Sequence, residues 1–152
     1  MKKTAVAAVA LASVTALTGA SAAPATAPGA TQAATAHTLK WKLIETASHR
    51  VGTHGFVGTD KIRSRRTGNV VGYDSFTGTF SRRTQSAKIQ FAASVKGGIL
   101  IGQVRADFDS KQSVFHGRVL KGTGKFAGAQ GTIVAKPIGD GSNTSVTITY
   151  VV

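Results

Sequence analysis

The segment "KGTGKFAGAQGTI", Lys121 to Ile133, sets four glycines and Lys125 between two apolar runs. A phosphate-binding loop needs a glycine, four spacers and then Gly-Lys-Ser/Thr opening a helix, so that backbone N–H groups and the lysine cradle phosphates. Here Phe126 follows Gly124-Lys125, and Val119 stands where the first glycine belongs. The dinucleotide fingerprint fails as well: after Gly122 and Gly124 the third glycine, Gly128, comes one residue late, and the residues beyond it read as a strand. The glycines therefore belong to a turn between strands. Gly122 and Gly124 are expected to supply positive φ, Gly128 and Gly131 to allow bending or close approach of strands, and Lys125 to face solvent.

Outward from this turn the chain reads as strands. Between Thr38 and Val152 no window keeps a helical period, and glycine interrupts the chain every ten to fifteen residues. Eight strands are expected, at about 38–46, 55–64, 69–80, 87–95, 99–109, 114–120, 126–137 and 145–152. The intervening turn signals include Thr67-Gly68-Asn69, Gly97-Gly98, Asp109-Ser110-Lys111 and Gly139-Asp140-Gly141. Short connections favour antiparallel neighbours. With no helix to cover an open edge, the pattern is all-β, either a closed eight-stranded antiparallel up-and-down β-barrel or a sandwich.

The first residues have a different character. Lys2 and Lys3 precede an apolar run from Thr4 to Leu17 and the small residues Ala20-Ser21-Ala22, the layout of a secretory signal peptide over residues 1–22 and too short to span a bilayer. Residues 23–37 are Ala/Thr/Pro-rich and lack the apolar surface to fold, which predicts a disordered lead-in to a domain at 38–152 of a secreted, extracellular protein. The chain has no cysteine, which removes thiol nucleophiles, thiolate metal ligands and disulfides. His37, His49, His54 and His116 form no metal-binding pair, so no metal is expected.

Charge points outward. The chain holds 19 Lys and Arg against 6 Asp and Glu, and removal of Lys2 and Lys3 with the leader leaves 17 against 6, or +11. Such a surface either keeps a secreted protein soluble or attracts anionic cell-wall or other polymers. Lys61, Arg63, Arg65, Arg66, Arg82 and Arg83 cluster beside expected turns and are the candidates for such binding.

Alternation assigns the faces. Leu39, Trp41, Leu43 and Glu45 share one face of the first strand, Phe56, Gly58, Asp60 and Ile62 one face of the second. Ala87, Ile89, Phe91, Ala93 and Val95 share a face, as do Val146, Ile148, Tyr150 and Val152. An eight-stranded barrel is just wide enough to be filled by side chains or to hold one small ligand. Trp41, Leu43, Phe56, Phe91 and Tyr150 are the expected apolar lining. Glu45 continues an apolar face, and burial without a partner would raise its pKa. For Asp60 and Asp74 the residues alone suggest salt bridges to the many cations. Asp109 and Asp140 read as turn residues, and no Ser/His/Asp arrangement is present.

Three motifs in register resemble one family. "FHGRVLKGTGKFAGAQGTI" is similar to the signature of the allene oxide cyclase and dirigent superfamily through Gly122, Thr123, Gly124, Phe126, Ala129 and Gly131, with Lys121 in place of the usual first glycine. "GNVVGYDSFTGTF" resembles its Val-Gly strand, and Gly97, Gly98, Ile99 and Gln103 resemble its Gly-Gly-x-Ile-x-x-Gln segment. The resemblance implies a calycin-like antiparallel barrel that binds an apolar small molecule without a cofactor, typically as an oligomer such as a trimer. It also implies cyclase or isomerase chemistry, since the plant cyclases close a fatty-acid epoxide into a cyclopentenone and dirigent proteins steer phenolic coupling or cyclisation. "LIETA" aligns Glu45 with the first-strand glutamate of the cyclases, whose asparagine two residues on falls on Ala47. Asp60 falls where the cyclases carry an asparagine, and because dirigent proteins use interior aspartates, the resemblance implies that Asp60 and Asp74 are candidate catalytic, proton-handling groups. Interior volume discriminates the readings: ligand binding needs a cavity of a few hundred cubic ångströms, whereas a filled barrel favours the basic exterior.

Overall fold

The computed structural model describes residues 34–108 and 114–152. The expected leader, the lead-in up to residue 33 and Asp109 lie outside them. Eight strands succeed one another: β1 (His37–Val51), β2 (Gly55–Ser64), β3 (Val70–Ser81), β4 (Ser86–Val95), β5 (Gly98–Asp107), β6 (Phe115–Gly122), β7 (Gln130–Ile138) and β8 (Asn143–Val151). Each pairs antiparallel with the next, and β8 pairs with β1 to close the barrel. Closure satisfies the backbone donors and acceptors that an open sheet would leave at its edges.

The Lys121–Ile133 segment differs from expectation at its centre. Gly124–Phe126 forms a 3-10 turn, so β7 begins at Gln130 rather than at residue 126. Gly124 and Gly128 carry the positive φ, 58° and 79°. Gly122 instead provides close approach, because a Cβ there would strike the carbonyl and Cβ of Phe126, and Gly131 is packed likewise against Thr149 and Tyr150. The turn thereby drives Phe126 into the barrel end, where it is completely buried, with its ring 5.6 Å from that of Tyr150. Lys125 stays outside, its ammonium 5.0 Å from the centre of the Phe126 ring.

Packing is dense at this end and open at the other. Ile62, Ala93, Leu100, Ile133 and Ile148 are fully or almost fully buried together with Phe126. Toward the opposite end the interior is lined by phenylalanines standing across from glycines. Phe56 faces Gly78 and Phe76 faces Gly58 across β2 and β3, and Phe91 faces Gly102 across β4 and β5. A Cβ on any of the three glycines would meet the opposing ring. Each ring thus lies across its neighbour's bare backbone, and the rings of Phe56 and Phe76 meet edge to face at 6.3 Å. Gly78→Val should displace the Phe56 ring and cost about 1–3 kcal/mol of stability, whereas Thr79→Val on the outer face should stay within about 0.5 kcal/mol of the parent. Chemical denaturation measures both, and equal effects would rule out the ring-on-glycine account.

Candidate functional site

The open half of the barrel holds a cavity of about 590 Å³. Trp41, Leu43, Phe56 and Phe91 line it, as does Phe76. Tyr150, grouped with them from its strand pattern, is instead in the packed end between Phe126 and His37. The cavity opens toward the β1–β2 and β7–β8 connections and the end of β5, with His49, Phe108 and Ser142 at its mouth. The rings of Phe108 and Phe115 meet there edge to face at 5.9 Å.

One wall carries three acids in a row. Strand register opposes Glu45 on β1 to Asp60 on β2, and Asp60 to Asp74 on β3. All three line the cavity, and directly opposed side chains on one sheet face stand about 5 Å apart at Cβ. Asp60 and Asp74 are 9% and 5% exposed, and Asp74 Oδ1 has no hydrogen-bond partner among the described residues. Burial pushes the Asp74 carboxyl up to about 7, reinforced by the charge of Asp60 and only partly offset by the Asp60 backbone. Burial likewise pushes Asp60 up to about 6, with the charge of Glu45 adding to it. Two neighbouring sites of this kind titrate as a pair, so a proton stays on the row near neutrality.

Glu45 does not occupy the buried position expected of it. It is exposed on the mouth side, its backbone N–H donating to the Ser142 carbonyl at 3.0 Å. Its Oε1 accepts a 2.7 Å hydrogen bond from the Ser48 hydroxyl. Just beyond it β1 bulges, and the β1–β2 register shifts between Glu45 and Ala47. Thr46 Oγ1 anchors the bulge by donating to the Thr59 carbonyl at 2.8 Å. An extra residue inverts the alternation beyond it, so Ser48 and Arg50 turn to the cavity, which they line. Ser48, which strict alternation assigns to the outside, is thereby a polar neighbour of Glu45. Only a local break in the apolar-polar pattern after Glu45 hints at it.

The remaining acids and the cations are elsewhere. Asp140 caps its own turn, accepting from the Ser142 N–H at 3.0 Å and hydroxyl at 2.7 Å, and these bonds hold its pKa below the usual value. Among the described residues no cation lies within ion-pair distance of Asp60 or Asp74, and no three His, Asp or Glu side chains are grouped to hold a metal ion. The six basic candidates do not form one patch. Lys61, Arg63, Arg65 and Arg66 belong to the end of β2 and its turn, Arg82 and Arg83 to the turn at the other end of β3. Arg63 is engaged with the Gly68 carbonyl at 2.8 Å and Arg65 with the Ser145 hydroxyl at 2.9 Å.

Comparison with known proteins supports the fold. No family model matches the chain, and no curated protein matches it. Among solved structures, a pterocarpan synthase dirigent protein superposes with a TM-score of 0.66 at 17% identity, covering 86% of this chain and 94% of that one. A pyocyanin demethylase matches with a TM-score of 0.59 at 14% identity over 75% of this chain and 99% of the other. An exo-specific intermolecular Diels-Alderase gives 0.59 at 13% identity, over 76% and 96%. The chain shares the dirigent-type barrel, in keeping with the motifs of its sequence. Likeness at this identity concerns architecture, and chemistry must be argued from the cavity.

The raised aspartates make stability depend on pH. A carboxyl whose folded pKa lies above its unfolded value of 3.8 binds its proton more tightly in the fold, so its contribution is present at low pH and is lost as pH rises to about 7. The protein should therefore melt at a lower temperature at pH 8 than at pH 5, and Asp74→Asn should flatten that slope while stabilising the barrel at pH 8 by about 1–3 kcal/mol. Thermal melts across this range check it. An unchanged slope in the variant would show that Asp74 is not the group responsible.

Proposed function

We propose that the barrel binds an apolar small molecule bearing a weakly basic oxygen and guides its cyclisation or isomerisation through the Asp60–Asp74 pair. The observation that carries this reading is the pair itself: two buried carboxyls, without a cation partner among the described residues, set in the wall of an otherwise largely apolar cavity of about 590 Å³. That size falls within the range of about 300–1,000 Å³ usual for small-molecule sites. A buried acid whose pKa is near 7 is matched to proton transfer at neutral pH.

The chemistry follows from the pair sharing a proton. The protonated carboxyl donates to a carbonyl, epoxide or ether oxygen of the bound molecule, which draws electrons from the adjacent carbon and prepares it for attack by an internal double bond or oxygen. The ionised partner stabilises the positive charge that develops and takes a proton back when the new bond has formed. Substrate and product are isomers, and the acid row ends in its starting protonation state. The aromatic walls from Trp41, Phe56, Phe76 and Phe91 fold the substrate against the acids and keep water from competing. Glu45, steadied by Ser48 at the mouth, is a positioning residue that sustains the raised pKa of Asp60.

The solved structures of similar fold that are named for a pterocarpan synthase and a Diels-Alderase lend support to a ring-forming reading. The leader-like residues 1–22 support secretion, so we place this activity outside the cell. The six basic candidates lend less support to a polyanion-binding role, being divided between opposite ends of β3.

Mass spectrometry of small molecules retained by the natively purified protein identifies the ligand class. With that ligand in hand, Asp74→Asn and Asp60→Asn should each lower turnover by about 100-fold or more while binding changes only a few-fold. Turnover in the parent should follow a bell-shaped pH profile with its limbs near 6 and 7. Variants that turn over the ligand as the parent does would overturn the assignment.

A further inference from the structure

The barrel contains a second space that shares only Trp41 with the acid-walled cavity and differs from it in charge. It measures about 410 Å³ and is built at the opposite end, by the start of β1, the β2–β3 and β4–β5 turns and the 3-10 turn. Trp41 lines both spaces, so its indole stands between them. The walls are apolar: Trp41, Val71, Val95 and Phe126. The rim is basic, with Arg66 from one turn, Lys96 from the next and Lys125 from the 3-10 turn, and Lys40 beside them on β1. Each of these four is exposed.

No described Asp or Glu side chain neutralises this rim. Asp60 and Asp74 belong to the other cavity, Glu45 lies on its mouth side, and Asp107 and Asp140 belong to the β5 end and the β7–β8 turn at that same mouth. Like charges converging on a concave apolar surface focus a positive field into it, because low-dielectric walls hold field lines in the cleft. Such charges repel one another until an anion arrives. Gly97 and Gly98 bring the Lys96 turn against the backbone of Thr123 and Gly124, since a Cβ at Gly98 or Gly124 would collide with the facing chain. Lys125 is held over the Phe126 ring at 5.0 Å. Two of the cations are thus carried on turns locked together by backbone packing.

We propose that this bowl is a second ligand site, for a small aromatic or short-chain monoanion whose apolar body rests on Trp41 and Phe126 and whose carboxylate or sulfonate meets Arg66, Lys96 and Lys125. The site is independent of the reaction assigned to the acid-walled cavity. That cavity disfavours the same ligands, because its wall of carboxyls repels an anion.

Naphthalenesulfonate is a suitable probe and naphthalenemethanol its uncharged counterpart. Calorimetry gives the affinities, and the fluorescence of Trp41, the one tryptophan of the chain, reports occupancy. The sulfonate should bind more tightly than the alcohol, and its affinity should fall with added salt. The combined variant R66Q/K96Q/K125Q should weaken the sulfonate at least about tenfold and leave the alcohol almost unchanged. K96Q alone should show a smaller loss of the same sign, and Asp74→Asn should not weaken the sulfonate. Far-ultraviolet circular dichroism confirms that the variants fold. Absence of binding, an affinity insensitive to the rim substitutions, or loss on Asp74→Asn would each overturn the proposal. So would sulfonate uptake that falls as the protein dimerises, which would give the bowl to a second copy of the chain.

Discussion

The antiparallel pairing of β8 with β1, from His37 opposite Tyr150 to Ile44 opposite Asn143, closes the sheet, and closure fixes the width of the space that inward side chains must share. Eight strands leave a narrow interior. Around Ile62, Leu100, Phe126 and Ile148 the inward side chains fill that space. Where Gly58, Gly78 and Gly102 remove one side chain from each facing pair, three phenylalanine rings lie back against the wall and a cavity remains. Packed end and open end are two results of one constraint, differing in how the inward volume is distributed.

Closure also separates charge. Cations on flexible stems are accommodated on the outer face and rims, where they remain hydrated. Asp60 and Asp74 have no such freedom, because their strand positions aim them inward and their stems are short. Ionising both beside each other in a weakly polar cavity is costly, and the pair responds by holding a proton near neutrality. Trp41 then stands between an acid-walled cavity and a basic-rimmed bowl. The opposed polarity of the two spaces arises from which strand ends and turns carry each charge.

The strands were legible in the residues because alternation and glycine-bearing turns are local signals. The inward face of β2, Phe56 to Ile62, and the apolar rows of β4 and β8 follow from period two alone. Departures from that pattern are equally physical. Tyr150 shares its strand face with Val146, but alternation says nothing of height along the barrel, and it packs at the closed end. Glu45 was legible as inward up to the point where Thr46 is inserted, and the inserted residue moves Ser48 and Arg50 to the cavity. The 3-10 turn at Gly124–Phe126 was masked by a segment whose composition equally suits a simple strand connection.

The sequence by itself determined an all-β chain whose short connections pair successive strands, because side-chain period and turn chemistry act over a few residues. It also set Asp60 on the apolar face of the second strand and left Asp74 as a candidate without an assigned face. Only the tertiary structure decided that Glu45, Asp60 and Asp74 stand in one row, since their neighbour relation depends on the register of three strands and on a bulge in the first. It likewise decided that Trp41 divides two spaces of opposite charge. Register and closure are long-range properties, set when distant segments pack together, and no local pattern of residues carries them.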